Sequence, residues 1–378
     1  MAFFRIVMKK KKKLRSGYTT GACAAAAAKA SVVMLLTEKA QETVEIPFPA
    51  GPRASFAVVT QSLTTNDPKE IKSSVIKDAG DDPDVTNGAV IEASAVFAEE
   101  LHAGEEPVRI YGGTGVGTVT KKGLAIAVGE PAINPVPRKM IRDAVAEAFQ
   151  EVGMQQKNIL EITVSIPKGE ELAQKTLNHR LGIVGGLSVL GTTGIVRPVS
   201  ADAWTATITA SMDVAKESGL TEIILSTGRT SEKAVQEHLH FAEESQVMMG
   251  DYLHFSLVDA ARHGFSKIHL AAMWAKVMKA AMRIPQTHVR NGALEVNDAL
   301  TFLSTLGCEK ELIAKLEGSN TAREIYMRLL ENKRKDMILR VCEAAREYAE
   351  EVSGLAVTVY LVDASMTIVA TTDKVAEI

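Results

Sequence analysis

Hydrophobic and polar positions follow two different rhythms along the chain. From Gly17 to about Pro167, short stretches of alternating apolar and polar residues surround two helical segments, one beginning near Gly21 and one from about Val136 to Val152. Alternation with a period of two is typical of half-buried strands. The strands predicted in this half cover residues 43–47, 55–60, 89–97, 108–111, 117–120 and 160–166. This half is therefore expected to fold as α+β.

Beyond Pro167, predicted strands and helices alternate. The predicted strands cover 222–225 and 267–271, and the predicted helices cover 203–218, 231–244, 250–263 and 275–282. This spacing favours a parallel sheet with crossover helices. Residues from about 292 to 352 are predicted to be mostly helical, and residues 356–363 and 366–371 to form a hairpin.

The length of 378 residues exceeds what one hydrophobic core ordinarily supports, so two domains are expected. The change of rhythm places their boundary near residue 170. We predict a basic N-terminal tail at 1–16, an α+β domain at 17–170, and an α/β domain at 171–378 with a helical part and a terminal hairpin.

Composition and charge exclude several classes of protein. Apolar residues make up 46% and charged residues 24%, which is typical of globular chains, and no stretch approaches the roughly 20 uncharged apolar residues of a membrane span. A net charge of -3 and an aromatic content of 5% argue against a nucleic-acid partner. A soluble protein without a membrane or nucleic-acid partner is expected.

The N-terminus and the cysteines indicate the compartment. Lys9 to Lys13 are not followed by the apolar segment and cleavage site of a signal peptide, so secretion is not expected. Cys23, Cys308 and Cys342 are far apart and odd in number, which gives neither a disulfide framework nor a zinc cluster. A reducing cytoplasm fits this pattern best.

Four clusters of glycine and threonine lie at predicted junctions, where bare N–H groups and hydroxyls suit carboxylates and phosphates. Residues 17–21 either hold an anion or cap the first helix, and residues 112–117 either line a ligand or form a tight hairpin. Residues 180–197 suggest a long binding loop. Residues 226–230 either take a nucleoside cofactor or need glycine for the turn. The candidate binding residues are Thr19, Thr20, Gly21, Gly113, Gly115, Gly117, Arg180, Gly185, Gly186, Gly191, Thr192, Thr193, Gly194, Arg197, Thr227 and Gly228.

Acidic residues cluster once, between Asp78 and Gly88, without the spacing of a calcium loop. Either a carboxylate there takes a proton or holds a ribose hydroxyl, or the aspartates satisfy local backbone N–H groups in a turn. Asp81 and Asp84 are candidate binding residues and Asp82 is a candidate catalytic residue. Among the histidines no set makes a persuasive zinc site, so no metal site is predicted. His288 is the histidine to test, with an ordinary loop position as the alternative.

Five segments resemble the cobalt-precorrin-5B C1-methyltransferase family. They read LRSGYTTGACAAAAAKA from Leu14, KDAGDDPDVTNGA from Lys77, GGTGVGTVTKKGL from Gly112, VGEPAINPVPRKMI from Val128 and TLNHRLGIVGGLSVLGTTGIVRP from Thr176. The resemblance spans roughly Leu14 to Asp298. The later blocks resemble the family less closely. Across the chain the departures are Ala275 where glycine is expected, Asn87 where histidine is common, His179 where proline is common, and Val289 where serine usually follows the Thr-His pair.

The resemblance implies a fold and an activity. The N-terminal α+β domain would be similar to the second domain of ribosomal protein S5, and the C-terminal α/β domain would contain a partly parallel, Rossmann-like sheet. The activity would be S-adenosylmethionine-dependent methylation of C1 of cobalt-precorrin-5B, giving cobalt-precorrin-6A in anaerobic cobalamin (vitamin B12) biosynthesis. S-adenosyl-L-methionine would be the cofactor, and cobalt would enter only as part of the corrinoid substrate.

The reaction indicates what the residues must do. In-line displacement needs donor and acceptor held in position and requires no nucleophilic side chain, so Cys23 is interpreted as a buried small residue. The carboxylates of the macrocycle would meet Arg138, Lys139, Arg180 and Arg197. His288 would coordinate cobalt or merely pack. A non-catalytic corrinoid carrier and a small-molecule phosphotransferase are the alternatives, and a homo-oligomer is left open.

Overall fold

The computed structural model describes residues 14–64, 69–287 and 294–373. The chain divides into two compact units. Unit 1 comprises residues 1–121 and 125–200, and unit 2 comprises residues 122–124 and 201–378.

Unit 1 is built around a five-stranded sheet. Its elements are β1 (Gly17–Tyr18), α1 (Thr20–Thr37), β2 (Thr43–Pro47), β3 (Arg53–Ala57), β4 (Thr60–Thr64), β5 (Glu70–Ile76), β6 (Val90–Glu100), β7 (Val108–Gly112), β8 (Thr118–Val119), α2 (Pro135–Val152), β9 (Asn158–Ser165), α3 (Gly169–Ala173), β10 (Ile183–Val184) and β11 (Ile195–Val196). The order in the main sheet is β4-β5-β6-β9-β7, in which only β7 and β9 run parallel. The pairs β2–β3, β1–β11 and β8–β10 form two-stranded sheets. This mixed arrangement confirms the α+β class.

Helix α1 lies in the core of unit 1, packed against α2 and strands β5 and β6. Its run Ala24 to Ala28 is completely buried, because alanine side chains allow close approach from every side. The buried Lys29 ammonium donates to carboxylates of Glu147 and Glu151 on α2, at 2.8 and 2.7 Å. The buried charge on α1 is thereby paired with carboxylates of α2.

Helix α1 bears on the expected absence of a membrane span. In the described part of the chain it is one helix of a length and apolar composition that would allow it to cross a membrane. Since 78% of that stretch is buried within the protein, the helix is weak support for a membrane span.

Strand β5 was not predicted, and its buried serines explain why. Ser73 accepts a hydrogen bond from Gln61 at 2.9 Å, and Ser74 shares one with Thr60 at 2.6 Å. Their neighbours on β4 therefore satisfy two polar groups that break the apolar pattern. The predicted strand at 55–60 corresponds to β3 and the start of β4.

Unit 2 is an α/β assembly with a second five-stranded sheet. Its elements are α4 (Ala201–Glu217), β12 (Glu222–Ser226), α5 (Arg229–Leu239), β13 (Gln246–Met248), α6 (Leu253–Arg262), β14 (Lys267–Met273), α7 (Trp274–Ala281), α8 (Val296–Thr305), α9 (Lys310–Leu316), α10 (Ala322–Glu331), α11 (Lys335–Ser353), β15 (Ala356–Val362) and β16 (Ile368–Thr371). The order is β13-β12-β14-β15-β16, with the first four strands parallel and β16 antiparallel to β15. The predicted parallel strands and terminal hairpin are thus present.

Alternate residues of β12 face different layers of unit 2. Ile223 and Leu225 belong to the large core that includes residues of α6, α7 and α11, whereas Ile224 packs with Ala234 and Val235 of α5. Helix α5 therefore covers the opposite face from α6 and α7. It ends at Leu239, earlier than predicted, and the three-residue strand β13 was missed because so short a run carries little pattern.

Candidate functional site

The aspartate cluster of unit 1 is bonded to neighbouring protein segments. The Arg15 guanidinium donates to both carboxylate oxygens of Asp78, at 2.5 and 2.8 Å, and this contact lowers the pKa of Asp78 to about 2. The Arg15 backbone N–H donates to Asp81 at 2.7 Å, and the Val199 N–H donates to Asp82 at 2.8 Å. These bonds join the loop to residues distant in sequence, and the Gly80 N–H, which donates to Asp78 at 2.8 Å, adds the local bond of an Asp-rich turn. Ligand binding by Asp81 and catalysis by Asp82 stay predictions.

Asp84 has a buried partner that the sequence reasoning missed. Its Oδ2 lies 2.5 Å from the Nζ of Lys77, a side chain that is 1% exposed, and its Oδ1 accepts the Thr86 N–H and hydroxyl at 2.7 Å each. Burial raises the pKa of the Asp84 carboxyl, but the bonds from Lys77 and Thr86 outweigh it, so the pKa lies below its usual value. This pair anchors the aspartate loop to the end of β5.

The start of α1 is closed by protein groups. The Thr19 hydroxyl caps the helix by accepting the Ala22 N–H at 3.1 Å. The Gly21 N–H donates to the Leu190 carbonyl at 3.0 Å, and the Thr20 hydroxyl accepts the Leu190 N–H at 2.9 Å. Of the two interpretations of residues 17–21, the structure shows the cap. Anion binding there stays a prediction.

The glycines of the second cluster, residues 112–117, allow backbone segments to approach closely. A Cβ on Gly115, which has a φ of +71°, would lie 2.0 Å from the Ile166 carbonyl oxygen, and one on Gly186 would lie 2.2 Å from the Gly115 oxygen. A Cβ on Gly117 would meet Ile183 at 2.5 Å, and one on Gly113 would meet the Ser165 hydroxyl at 2.2 Å. The second and third clusters therefore pack against each other, and close packing within the protein accounts for these glycines.

The third cluster also presents groups to solvent. Gly185, Thr192, Thr193 and Arg197 are exposed, and Arg180 is half-buried. Gly191 and Gly194 are different, because a Cβ on either would contact the side chains of Thr19 and Phe48 respectively. The exposed members are the part of this segment that a ligand can reach.

Arg138, at the start of α2, is bonded to the segment that precedes the helix. Its Nε donates to the Ile133 carbonyl at 2.9 Å, its Nη2 lies 3.4 Å from Glu130, and burial lowers its pKa. Lys139 is paired with Asp143 at 2.6 Å. Both cations already have protein partners, so their contact with substrate carboxylates stays a prediction.

In unit 2, Thr227 and Gly228 lie at the carboxyl end of β12. The Thr227 N–H donates to the Ala271 carbonyl at 3.2 Å, which ties the turn to β14. A Cβ on Gly228 would have no heavy atom within 4 Å, so the turn before α5 is open. The connection after β12 leads to β13 on one side of the sheet, and the connection after β14 leads to β15 on the other side. Such reversals between neighbouring strands are where α/β sheets collect ligands.

A polar cluster that was not predicted lies at the same end of the sheet of unit 2. The Lys276 ammonium donates to the Asp251 carboxylate and, at 2.8 Å, to the Thr287 carbonyl. Lys279, which is 4% exposed, donates to the same carbonyl at 3.0 Å, and the Thr287 hydroxyl donates to Asp251 at 3.1 Å. Burial, and then the charge of Lys276, lowers the pKa of Lys279. The signal for this cluster was the pair of lysines three residues apart on a predicted helix.

The remaining candidates are a histidine, possible metal ligands and a cysteine. His288 lies outside the described residues. Within residues 14–64, 69–287 and 294–373, no group of three or more His, Cys, Asp or Glu could hold a metal ion. Cys23 is completely buried, and burial raises its thiol pKa to about 12, which confirms the interpretation as an inert small residue.

Two family models match the sequence. The model described as CbiD matches residues 7–198, and the model described as CbiD, C-terminal domain, matches residues 286–373. The first alone covers half of the chain. The chain therefore belongs to the CbiD family, which confirms the resemblance of the five quoted segments.

Similar proteins carry one name. A protein of Desulfotalea psychrophila named cobalt-precorrin-5B C(1)-methyltransferase is 55% identical over 335 residues, which are 87% of this chain and 90% of the relative. A protein of Geobacter sulfurreducens with the same name is 48% identical over 84% of this chain and 86% of its own. A crystal structure of a cobalamin biosynthesis protein (cbiD) from Archaeoglobus fulgidus is 24% identical over 85% of each chain, with a TM-score of 0.38.

Proposed function

We propose that this chain transfers a methyl group from S-adenosylmethionine to C1 of cobalt-precorrin-5B, giving cobalt-precorrin-6A in anaerobic cobalamin biosynthesis. The observation that carries the proposal is the 55% identity to a protein of that activity's name across 87% of the chain. Both family models match as well, so the similarity extends to unit 1 and unit 2 alike.

The exposed part of the third cluster suits a substrate with many carboxylates. Thr192 and Thr193 offer hydroxyls, Gly185 offers backbone without a side chain, and Arg197 offers an exposed guanidinium. Guanidinium groups bind carboxylates through paired hydrogen bonds, which a lysine cannot form in the same geometry. We propose that these groups, with Arg180, bind the acidic side arms of the corrinoid.

The protein contributes to the reaction by binding the two reactants and aligning them. The sulfonium of the donor supplies an electrophilic methyl group, so no covalent intermediate on the protein is needed. The thiols of Cys23 and Cys342 are excluded as nucleophiles, because both are buried and burial raises the pKa of each to about 12. Holding two reactants in line can contribute roughly 7–11 kcal/mol to lowering a barrier. Catalysis is therefore assigned to binding and orientation.

The finer features of fold and compartment belong to the same proposal. The mixed main sheet with α1 and α2 in unit 1 supports a ribosomal protein S5 domain 2-like fold, and the four parallel strands of unit 2 support a Rossmann-like one. Three free, buried cysteines suit a reducing cytoplasm.

An anaerobic incubation tests the proposal. Purified protein is mixed with cobalt-precorrin-5B and S-adenosylmethionine, and the corrinoid and the nucleoside are followed by mass spectrometry. We expect the corrinoid to gain one methyl group and one equivalent of S-adenosylhomocysteine to appear, with neither change when the donor is omitted. Corrinoid that binds without gaining mass would point to a carrier. Consumption of ATP in a parallel incubation to which ATP is added would point to a phosphotransferase.

A further inference from the structure

A cavity of about 370 Å³ lies in unit 2 against helix α6. It is lined by an aromatic wall of Tyr252 and Phe255, by Val258 on the same helix, and by Pro285 and Gln286. Small-molecule sites have about 300–1,000 Å³ and mostly apolar walls with a few polar groups. The volume suits a nucleoside with a short side arm, whereas a corrin macrocycle, with four pyrrole-derived rings, is too large for it.

The walls are fixed in position by hydrogen bonds. The His254 N–H donates to the Pro285 carbonyl at 3.2 Å, and the Thr287 N–H donates to the Asp251 carbonyl at 3.1 Å. The Lys276 ammonium donates hydrogen bonds to both the Asp251 carboxylate and the Thr287 carbonyl. The segment leading to Thr287 is therefore held against the start of α6.

The chemistry of the lining changes along α6. At one end, the half-buried side chains of Tyr252 and Phe255 pack against the large core of unit 2, and aromatic rings of this kind stack on flat bases.

At the other end of the cavity, Arg262 supplies positive charge. It lies seven residues beyond Phe255 on the same helix, which is about 10 Å along the axis. Its side chain is exposed, and no ion pair to it is found among the residues that the structure describes. A carboxylate at the end of a short arm would therefore find an unneutralised guanidinium there.

From this arrangement we infer that the cavity binds the adenosine of the methyl donor between the aromatic wall and Pro285, with the amino-acid carboxylate of the donor at Arg262. The inference rests on the proposed function, since it places the donor that this function requires. It also places the nucleoside at α6, where the sequence alone favoured the turn at Thr227 and Gly228.

Isothermal titration calorimetry of the full chain tests the site with three probes: S-adenosylhomocysteine, 5′-methylthioadenosine, which lacks the amino-acid carboxylate, and ATP. Arg262→Gln is expected to weaken S-adenosylhomocysteine about tenfold, which corresponds to about 1.4 kcal/mol, and to leave methylthioadenosine unchanged. Phe255→Leu is expected to weaken both by a similar factor. Arg323→Gln, which removes an exposed arginine from α10, is the matched control and should bind like the parent. A thermal melt of each variant establishes that it is folded.

The outcomes separate the site from the function. If the parent binds S-adenosylhomocysteine and both α6 variants bind it equally well, the cavity assignment is wrong and the proposed function stands. If ATP binds the parent as tightly as S-adenosylhomocysteine and responds to the same variants, the cavity belongs to nucleotides and the inference is overturned. If the folded parent takes up no S-adenosylhomocysteine, the proposed function itself fails.

Discussion

The buried pair of Lys77 and Asp84 allows a sharp test of whether the aspartate loop is structural. Asp84→Asn keeps an oxygen that can accept the Thr86 N–H but removes the negative charge beside a lysine that is 1% exposed. Breaking a buried ion pair at one partner typically costs about 3–5 kcal/mol, because the other charge stays buried without compensation. The Asp84 side chain is 25% exposed, which lets water approach, so we expect the lower end, about 3 kcal/mol.

The loss should appear as a lower melting temperature of unit 1. For a domain of this size each kcal/mol shifts the melting temperature by about 2–4 °C, so the expected decrease is about 6–12 °C. Because a chain of two units need not unfold in one step, hydrogen exchange followed by mass spectrometry should assign the loss to α1 and β6 and not to β12 or β14.

Two controls make the result interpretable. Lys77→Met combined with Asp84→Asn removes the orphaned charge and should recover most of the stability. Asp143→Asn breaks the exposed pair with Lys139 and should change stability by less than about 1 kcal/mol. An Asp84→Asn variant that melts like the parent, or a double variant no more stable than the single one, would refute the reasoning.

Two further predictions concern unit 2 and the glycine clusters. His269 is hydrogen-bonded to Glu222 at 2.8 Å and to Tyr360 at 3.1 Å, and burial lowers its pKa. Because the folded state favours the neutral ring, the contribution of His269 to stability should be fully present above about pH 6.5 and should fall below it. Urea unfolding at pH 7.5 and 5.5 checks this, and a His269→Gln variant that loses as much stability on acidification as the parent would contradict it. Gly186→Ala should destabilise unit 1 by about 1–3 kcal/mol, because its Cβ would lie 2.2 Å from a backbone oxygen. Gly228→Ala, at the N-cap of α5 and in open space, should cost less than about 1 kcal/mol. Equal melting temperatures for the two variants would show that close packing is not the reason for glycine at 186.

Local sequence signals were sufficient for much of the fold. Thr19 followed by the run Ala24 to Ala28 indicated α1 because a capping hydroxyl and strong helix formers act within one turn of each other. Asn134 and Pro137 marked the start of α2 in the same way. Strands β12 and β14 were visible as apolar runs between helices. In each case the information lay in adjacent residues.

The rest depended on contacts between distant residues. Asp251 and Thr287 are 36 positions apart and meet Lys276 only in the folded unit. A glycine in the sequence shows that a side chain is missing, but not what occupies the space where it would lie. At Gly186 the backbone of Gly115 occupies that space, whereas at Gly228 the space is open. The sequence therefore located the segments of the candidate site without distinguishing packing from binding.

The central claim is that this chain methylates C1 of its corrinoid, and carbon-13 NMR tests it most directly. The anaerobic reaction is run with S-adenosylmethionine labelled in its methyl group, and the isolated corrinoid is examined for the position of the label. The account predicts one labelled methyl group on the quaternary carbon C1. A label at any other ring position, or a corrinoid without label after complete incubation with folded protein, would contradict it.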